Sequence, residues 1–311
     1  MKVAIAGATG FVGSRLVERL QAEGHQVVVF TRSRERAEQL FPRSVFSNVE
    51  IVPYTPTTPG AWQQAIAGCD GVVNLAGEAI ADGRWTEVRK QEILSSRQLS
   101  TQNIVAAITQ ANPKPKVLVN ASAVGYYGTS ETATFDETSA SGQDFLAQVC
   151  QTWEAEAQKV QKVKDSGTRL VIVRIGIVLG MGGALAKMLP PFKLFAGGPI
   201  GSGRQWFSWI HREDLVSLIL QALTQTNLQG VYNGTAPNPV RMAEFCHVLG
   251  EVLNRPSWLP VPDFALEALL GDGAKVVLEG QQVLPKHTLA DGFPYQYPTV
   301  KQALSDILAT S

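Results

Sequence analysis

The segment Gly7-Ala8-Thr9-Gly10-Phe11-Val12-Gly13 follows a short apolar run, residues 2 to 6, and leads into an amphipathic stretch from Ser14 to Glu23. Gly7 permits a tight turn, Gly10 lets a ligand reach the backbone with no Cβ in the way, and Gly13 allows a helix to pack close to a strand. Amides at the start of that helix have no partner in the chain and face any anion that approaches. A strand, a glycine turn and a helix in this order suit the pyrophosphate of a dinucleotide, and residues 7 to 13 are all expected to touch it.

The second apolar run, Gln26 to Thr31, ends in Thr31-Arg32-Ser33-Arg34. Dinucleotide sites selective for NAD carry a carboxylate here for the ribose 2′-hydroxyl. A cation in its place favours a 2′-phosphate, so the expected cofactor is NADP(H), held by Thr31 and Arg32 with Arg34 or Arg15 assisting.

Other residues carry chemistry with more than one reading. Tyr126 and Tyr127 fall on the loop after the fifth expected strand, where ligands of open α/β folds bind, and either transfer a proton or pack as aromatics over the nicotinamide end. Glu78, just past the fourth strand, is a general base if desolvated and otherwise a solvated carboxylate. The stretch 201 to 211 combines glycines, Arg204, Trp206, Trp209 and His211, a mixture suited to ligand recognition or to an aromatic plug between domains. His211 reads as a structural hydrogen-bonding group and Cys150 as a small core residue. Arg84, Trp85, Arg89 and Arg97 form a further group, with Arg89, Ile93 and Arg97 on one helix face, for anion binding or surface salt bridges.

Short β-branched runs alternating with longer helical periodicities position these groups. Strands are expected at 2–6, 26–31, 49–53, 71–75, 116–121 and 169–175, with crossover helices from Thr86 to Thr109 and from Asp144 to Val163. Beyond Arg174 glycine-rich stretches bracket a short helix, and Pro190-Pro191 is expected to bend the chain. A helix from about Glu213 and a strand at 231–233 rejoin the sheet, and helices at 240–253, 263–270 and 299–309 follow. The expected fold is α/β: a Rossmann, doubly wound parallel sheet with a smaller, mainly helical C-terminal lobe. The cofactor domain spans 1–180, rejoined by about 207–235, and the lobe comprises 181–206 and 236–311.

With 311 residues, 45% hydrophobic, the chain has enough material for a large core. Lys plus Arg and Asp plus Glu are 27 each, so no net field draws the protein to nucleic acid or an anionic membrane. Cys69, Cys150 and Cys246 lack metal-ligand spacing and fit a reducing cytoplasm without a metal. Met1-Lys2 runs directly into the first expected strand, so no secretion signal is expected, and with no apolar run of about eighteen residues no membrane span is expected either. No feature of the sequence sets an oligomeric state.

Gly7 to Gly13, Asn74-Leu75-Ala76-Gly77, Ser122 through Gly128 and Arg174 together resemble the extended short-chain dehydrogenase/reductase superfamily across nearly the whole chain. Asn74 through Glu78, Arg84-Trp85-Thr86, Ser96-Arg97, Ala121 through Gly128, Trp153-Glu154 and Gly280 through Pro285 resemble one atypical subgroup, described as sugar-nucleotide epimerases and in some members as cell-division proteins. The resemblance implies an NADP site that includes Leu75, Ala76, Gly77 and Glu78, and a special C-terminal domain from about 249. It implies a small-molecule substrate such as a nucleotide sugar, with Arg204 on its phosphate, Trp206 or Trp209 stacked on a ring, and Arg84 and Trp85 nearby. Ser122, or Ala123 by another count, matches the superfamily's catalytic hydroxyl. The superfamily's Tyr-x-x-x-Lys pair falls near Leu146 and Cys150, so neither residue is present, and Tyr127, Tyr126 or Glu78 would have to substitute. Tyr297 to Lys301 matches that spacing only by chance. The same features fit a cofactor-binding regulator or scaffold that has lost turnover.

Overall fold

The structure, a computed structural model, describes residues 1–81, 83–162 and 167–309. Alternating strands and helices build the first part: β1 (Lys2–Ala6), α1 (Phe11–Ala22), β2 (Gln26–Thr31), α2 (Arg34–Leu40), β3 (Val49–Pro53) and β4 (Gly71–Asn74). Then come α3 (Glu87–Gln110), β5 (Val117–Ala123), the short β6 (Thr134–Phe135), α4 (Phe145–Lys162) and β7 (Arg169–Ile175). Val163, the expected end of the α4 segment, lies outside the described residues. Shorter pieces follow: β8 (Ile177–Leu179), α5 (Gly183–Lys193), β9 (Trp206–Phe207), β10 (Trp209–His211), α6 (Arg212–Thr224), β11 (Gly230–Gly234) and β12 (Val240–Arg241). The rest is α7 (Met242–Leu253), α8 (Asp263–Leu270), α9 (Lys275–Leu278), β13 (Gln282–Val283), α10 (Lys286–Ala290) and α11 (Val300–Ala309).

A seven-stranded sheet in the order β11-β7-β5-β4-β1-β2-β3 forms the centre, and every pairing in it is parallel. Successive side chains of a strand point to opposite faces, so apolar runs such as Val27-Val28-Val29 serve two cores at once. Val3, Ile5, Val27 and Val29 pack with Leu16 and Leu20 of α1 and with Leu215 and Ile219 of α6. Ala4, Val28 and Phe30 face the other way, with Ile104 and Ile108 of α3 and Ala157 and Val160 of α4. Strand order reverses between β1 and β4, so the loops after β1, β4 and β5 open onto one crevice.

Buried asparagines shape that edge. Asn74 Nδ2 donates to Asn120 Oδ1 at 2.8 Å and to Thr101 Oγ1 at 2.9 Å, while Asn74 Oδ1 accepts from the Ala76 amide at 3.3 Å. The last contact turns residues 75 to 77 across the glycine loop.

The smaller lobe packs α5, α7 and α11 around Leu185, Phe192, Phe245, Leu249 and Leu304. Pro190 and Pro191, expected to bend the chain, lie inside α5, four and three residues before its last turn closes at Leu194. Leu185, Leu189 and Phe192 bury one face of this helix, and burial of that face outweighs the lost amide donors. Among the described residues, no helix is long and apolar enough to cross a membrane.

Candidate functional site

Three glycines set the loop after β1. Gly7 has φ +80°, and a Cβ there would lie 2.7 Å from the carbonyl of Leu75. A Cβ on Gly13 would come within 2.2 Å of Gly7 O, so helix and loop touch backbone to backbone. Gly10 caps α1 with no side-chain hydrogen bond, and the first turn holds no acidic residue, which leaves its positive end open to an anion. Gly7, Gly10, Phe11, Val12 and Gly13 line a cavity of about 430 Å³; Ala8 instead faces the core, and Thr9 is not part of the wall. Replacing Gly13 with alanine is expected to cost about 1–3 kcal/mol through overpacking. Thermal unfolding reads this directly, and an unchanged midpoint would contradict the close approach.

At the end of β2, Thr31 Oγ1 donates to Ser33 O at 2.8 Å and fixes the turn that presents Arg32. The Arg32 side chain is 73% exposed, and its Nη1 donates to Glu78 Oε1 at 2.9 Å. Arg89 approaches the other Glu78 oxygen at 3.5 Å. The expected assistants have their own partners: Arg15 pairs with Glu213 and Glu18, and Arg34 with Glu38. Glu78 is thus a counter-ion between two arginines outside the cavity wall, a position that does not suit a desolvated base. Leu75 lines the cavity, Ala76 is buried, and Gly77 lies against Arg97.

A buried polar network lies under the loop after β5. Arg174, at the end of β7, makes a two-pronged pair with Glu154 of α4 at 2.8 Å on both prongs. Ser122 Oγ donates to Glu154 Oε1 at 2.6 Å. Arg174 Nη1 donates to the Tyr127 hydroxyl at 3.1 Å, which donates in turn to Asn233 Oδ1 at 2.7 Å. Arg174 also stacks on the Tyr126 ring, 3.3 Å from its centroid. Tyr127 is 3% exposed, burial pushes its phenol up to about 12, and neither tyrosine is part of the cavity wall. The Tyr127 hydroxyl is thus held inside the network, and both rings pack against Arg174. Ser122 does reach the cavity.

Leu146, Val149, Cys150 and Trp153 of α4 form the opposite wall, so the positions the sequence reading compared with Tyr and Lys do face the cavity. Burial raises the Cys150 thiol to about 11, which keeps it protonated. Desolvation lowers the pKa of His211, whose Nδ1 accepts the Glu213 amide, so it serves as a cap on α6. Among the described residues no cluster of His, Cys, Asp and Glu is placed to hold a metal.

Of the residues expected on the substrate side, only Trp206 lines the cavity. Trp209 is fully buried, donates to Asn238 O and belongs to the lobe's core, because alternation along the stretch turns it inward. Trp85 is buried on Phe145 and donates to Ile80 O. Arg84 extends along α8 towards Ala268 O, and Arg204 pairs with Glu131 at 3.1 Å. The sequence reading did not pick out the wall that closes the cavity from the far end of the chain: Lys275, Val276, Glu279, Gly280 and Gln281, with Thr129 donating to Glu279 at 2.8 Å. A signal for it was present, since Gly280 to Pro285 stood among the subgroup's motifs.

Comparison with known proteins settles the family. The model of the NAD dependent epimerase/dehydratase family matches residues 3–233. The chain belongs to that family. A second family model, a domain of unknown function called DUF1731, matches residues 261–307. Within the epimerase/dehydratase family the chain is similar to the Arabidopsis thaliana epimerase family protein SDR39U1 homolog, described as chloroplastic. Identity is 54% over 99% of this chain and 87% of the relative. Among solved structures it is similar to human epimerase family protein SDR39U1, isoform 2, crystallised with NADPH. There the TM-score is 0.87 at 38% identity, covering 100% of both chains. It is also similar to a nucleoside-diphosphate sugar epimerase from Corynebacterium glutamicum, with TM-score 0.77 and 28% identity, covering 100% of this chain and 59% of the other.

Proposed function

We propose that this chain binds NADPH and acts as an oxidoreductase or epimerase on a nucleotide sugar or a related polar carbonyl compound. The observation that carries the reading is a glycine-lined cavity at the start of α1 with a cation at the end of β2. The uncapped start of α1 meets the cavity beside it, and Arg32 stands at the end of β2, where a dinucleotide's 2′-phosphate would lie. NADPH is the ligand named for the human relative, and a nucleoside-diphosphate sugar is the substrate class named for the bacterial one.

Glycines 7, 10 and 13 fit a diphosphate because side chains there would fill the space it needs or clash with backbone. When bound, the nicotinamide supplies a carrier for hydride. The chain supplies orientation. Ser122 already donates its proton to Glu154, so its lone pairs are the part offered to the cavity, and it accepts from a substrate hydroxyl. Glu154 is neutralised by Arg174 and works as a positioning residue. Lys275, on the C-terminal wall, suits an acidic or phosphorylated substrate. The Tyr/Lys pair does not take part in this reading: α4 presents Leu146 and Cys150 to the cavity, and proton exchange falls to other groups.

That same apolar α4 wall favours a second reading, a regulator or scaffold that binds NADPH without turnover. One experiment separates the two. Purified protein loaded with NADPH or NADP is exposed to a panel of sugar nucleotides and polar carbonyl compounds while nicotinamide absorbance is followed. A redox change, or epimerised product by chromatography, supports the enzyme; silence across the panel with cofactor retained supports the regulator. A Tyr127→Phe variant is expected to leave any such activity and its pH profile in place, since the phenol stays protonated up to about 12. Loss of activity with an altered acidic or basic limb would restore Tyr127 to the chemistry.

A further inference from the structure

Among the described residues, six of the twelve large apolar side chains left exposed lie in two segments of the smaller lobe: Leu194 and Phe195, then Trp258, Leu259, Phe264 and Leu269. The segments run side by side. Leu259 N donates to Gly197 O at 3.1 Å, Val261 N donates to Pro199 O at 2.9 Å, and Arg255 stacks on the Phe195 ring at 4.4 Å. Single exposed apolar residues need no partner, but a cluster of this size marks a contact surface. Side chains of these kinds, 42–77% exposed, present an apolar area comparable to the ~800 Å² that each partner brings to a standard protein interface.

The centre of the surface is α8, in which no residue is buried. Leu266 and Leu270, one turn apart, are half-buried against the lobe. Phe264, Ala265, Ala268 and Leu269 are all exposed and fall within about 140° of the helix circumference, so the outer face is wholly apolar. The helix is fastened at both ends. Gly201 N donates to Val261 O at 2.9 Å just before it, and Trp85 N donates to Leu270 O at 3.2 Å at its last residue.

Two features of α8 indicate what covers it. Along the outer face the residues run large, small, small, large, an order that reads alike in both directions, so two antiparallel copies set Phe264 against Leu269 at each end and the alanines against each other between them. The charges at its ends are also complementary. Asp263 opens the helix, Arg84 reaches Ala268 O at its far end, and among the described residues neither makes an ion pair. A twofold axis across the middle of the helix brings each Asp263 to the Arg84 end of the other copy. An anionic lipid surface fits less well, because Asp263 and Glu267 both stand on this helix.

We propose that α8 is the centre of an isologous contact between two copies of this chain, packed antiparallel through Phe264, Ala265, Ala268 and Leu269 and closed at both ends by Asp263 and Arg84. Residues 271 to 274 lead directly from α8 into α9, whose Lys275, Val276 and Glu279 line the cavity, so the pairing braces the cavity's far wall from outside.

The test is sedimentation velocity of the full chain over a concentration series, beside Phe264→Glu, Asp263→Arg and Arg84→Glu, each first checked by circular dichroism. The unaltered chain is expected to dimerise as concentration rises. Phe264→Glu places two carboxylates in the contact and is expected to raise the dimer dissociation constant at least about 30-fold. Asp263→Arg and Arg84→Glu each set like charges together at both ends and weaken the dimer about threefold to tenfold. An equimolar mixture of these two variants recovers the wild-type constant, because both ends of the mixed dimer again join opposite charges. If Phe264→Glu does not fold, the mixture decides. A monomer at every concentration overturns the proposal, as does a dimer that Phe264→Glu leaves within twofold of wild type, which would form elsewhere on the surface. A mixture no tighter than its components overturns the antiparallel arrangement. Sedimentation of the monomeric chain with phosphatidylglycerol vesicles, lost in Phe264→Glu, overturns the dimer by assigning this face to lipid.

Discussion

Replacing Arg32 with glutamine is expected to raise the dissociation constant for NADPH about 10- to 100-fold while leaving that for NADH within about threefold. Two effects add. The variant loses the charged fork that would meet the 2′-phosphate, and it releases Glu78, whose carboxylate is 2.9 Å from Arg32 in the structure and would then face the phosphate uncompensated except by Arg89. The high exposure of Arg32 tempers the first effect through solvent screening, so the lower half of the range is favoured and the loss should shrink further in high salt. Glu78→Gln tests the second effect separately and should hold or tighten NADPH affinity. Fluorescence titration with both dinucleotides decides the matter: equal weakening for NADH and NADPH in Arg32→Gln would remove Arg32 from the 2′-phosphate site.

The second large effect concerns the buried pair under the loop after β5. Arg174→Met leaves the Glu154 carboxylate buried with only Ser122 to satisfy it, and is expected to cost about 3–5 kcal/mol. For a chain of this size that corresponds to a fall in Tm of about 5–8 °C. The double variant Arg174→Met/Glu154→Leu removes both charges and should recover much of the loss, because a buried ion pair replaced by apolar groups of similar size is often close to neutral. Thermal unfolding of the two single variants and the double variant, as a cycle, gives the coupling. A single-variant shift under about 2 °C, or a double variant worse than either single, would mean that the network is not what holds β7, α4 and the tyrosine loop together.

Features governed by local rules were the ones legible in the sequence. The runs at 2–6, 26–31 and 169–175 became strands with those bounds because β-branched residues on both faces of a covered sheet leave no other arrangement. The glycine loop was legible for a similar reason: at Gly7 and Gly13 a Cβ collides with neighbouring backbone. Reading failed where a residue's role depends on a distant partner. Trp206 and Trp209 stand three positions apart in one aromatic stretch, yet pairing with β12 and β8 sends one to the cavity and the other into the lobe's core. Tyr127 had the chemistry of a proton donor until β11 placed Asn233 at its hydroxyl.

The far wall of the cavity has a consequence for the order in which the protein becomes able to work. β13 adds to β6 in parallel, Asn233 Nδ2 donates to Leu284 O, and Glu137 receives the amides of Asn233 and Lys286, so residues 282 to 286, directly after this wall, are held by contacts with segments 51 to 149 residues earlier. During synthesis the glycine loop leaves the ribosome early, with its sheet partners soon behind it, whereas Lys275 to Gln281 emerge much later. A nascent chain that ends before Lys275 therefore has the glycine loop but not the wall that closes the cavity, with the outer edge of β11 still lacking its cover from α10. In such an intermediate the cavity beside the glycine loop is still open on the side that residues 275 to 281 close.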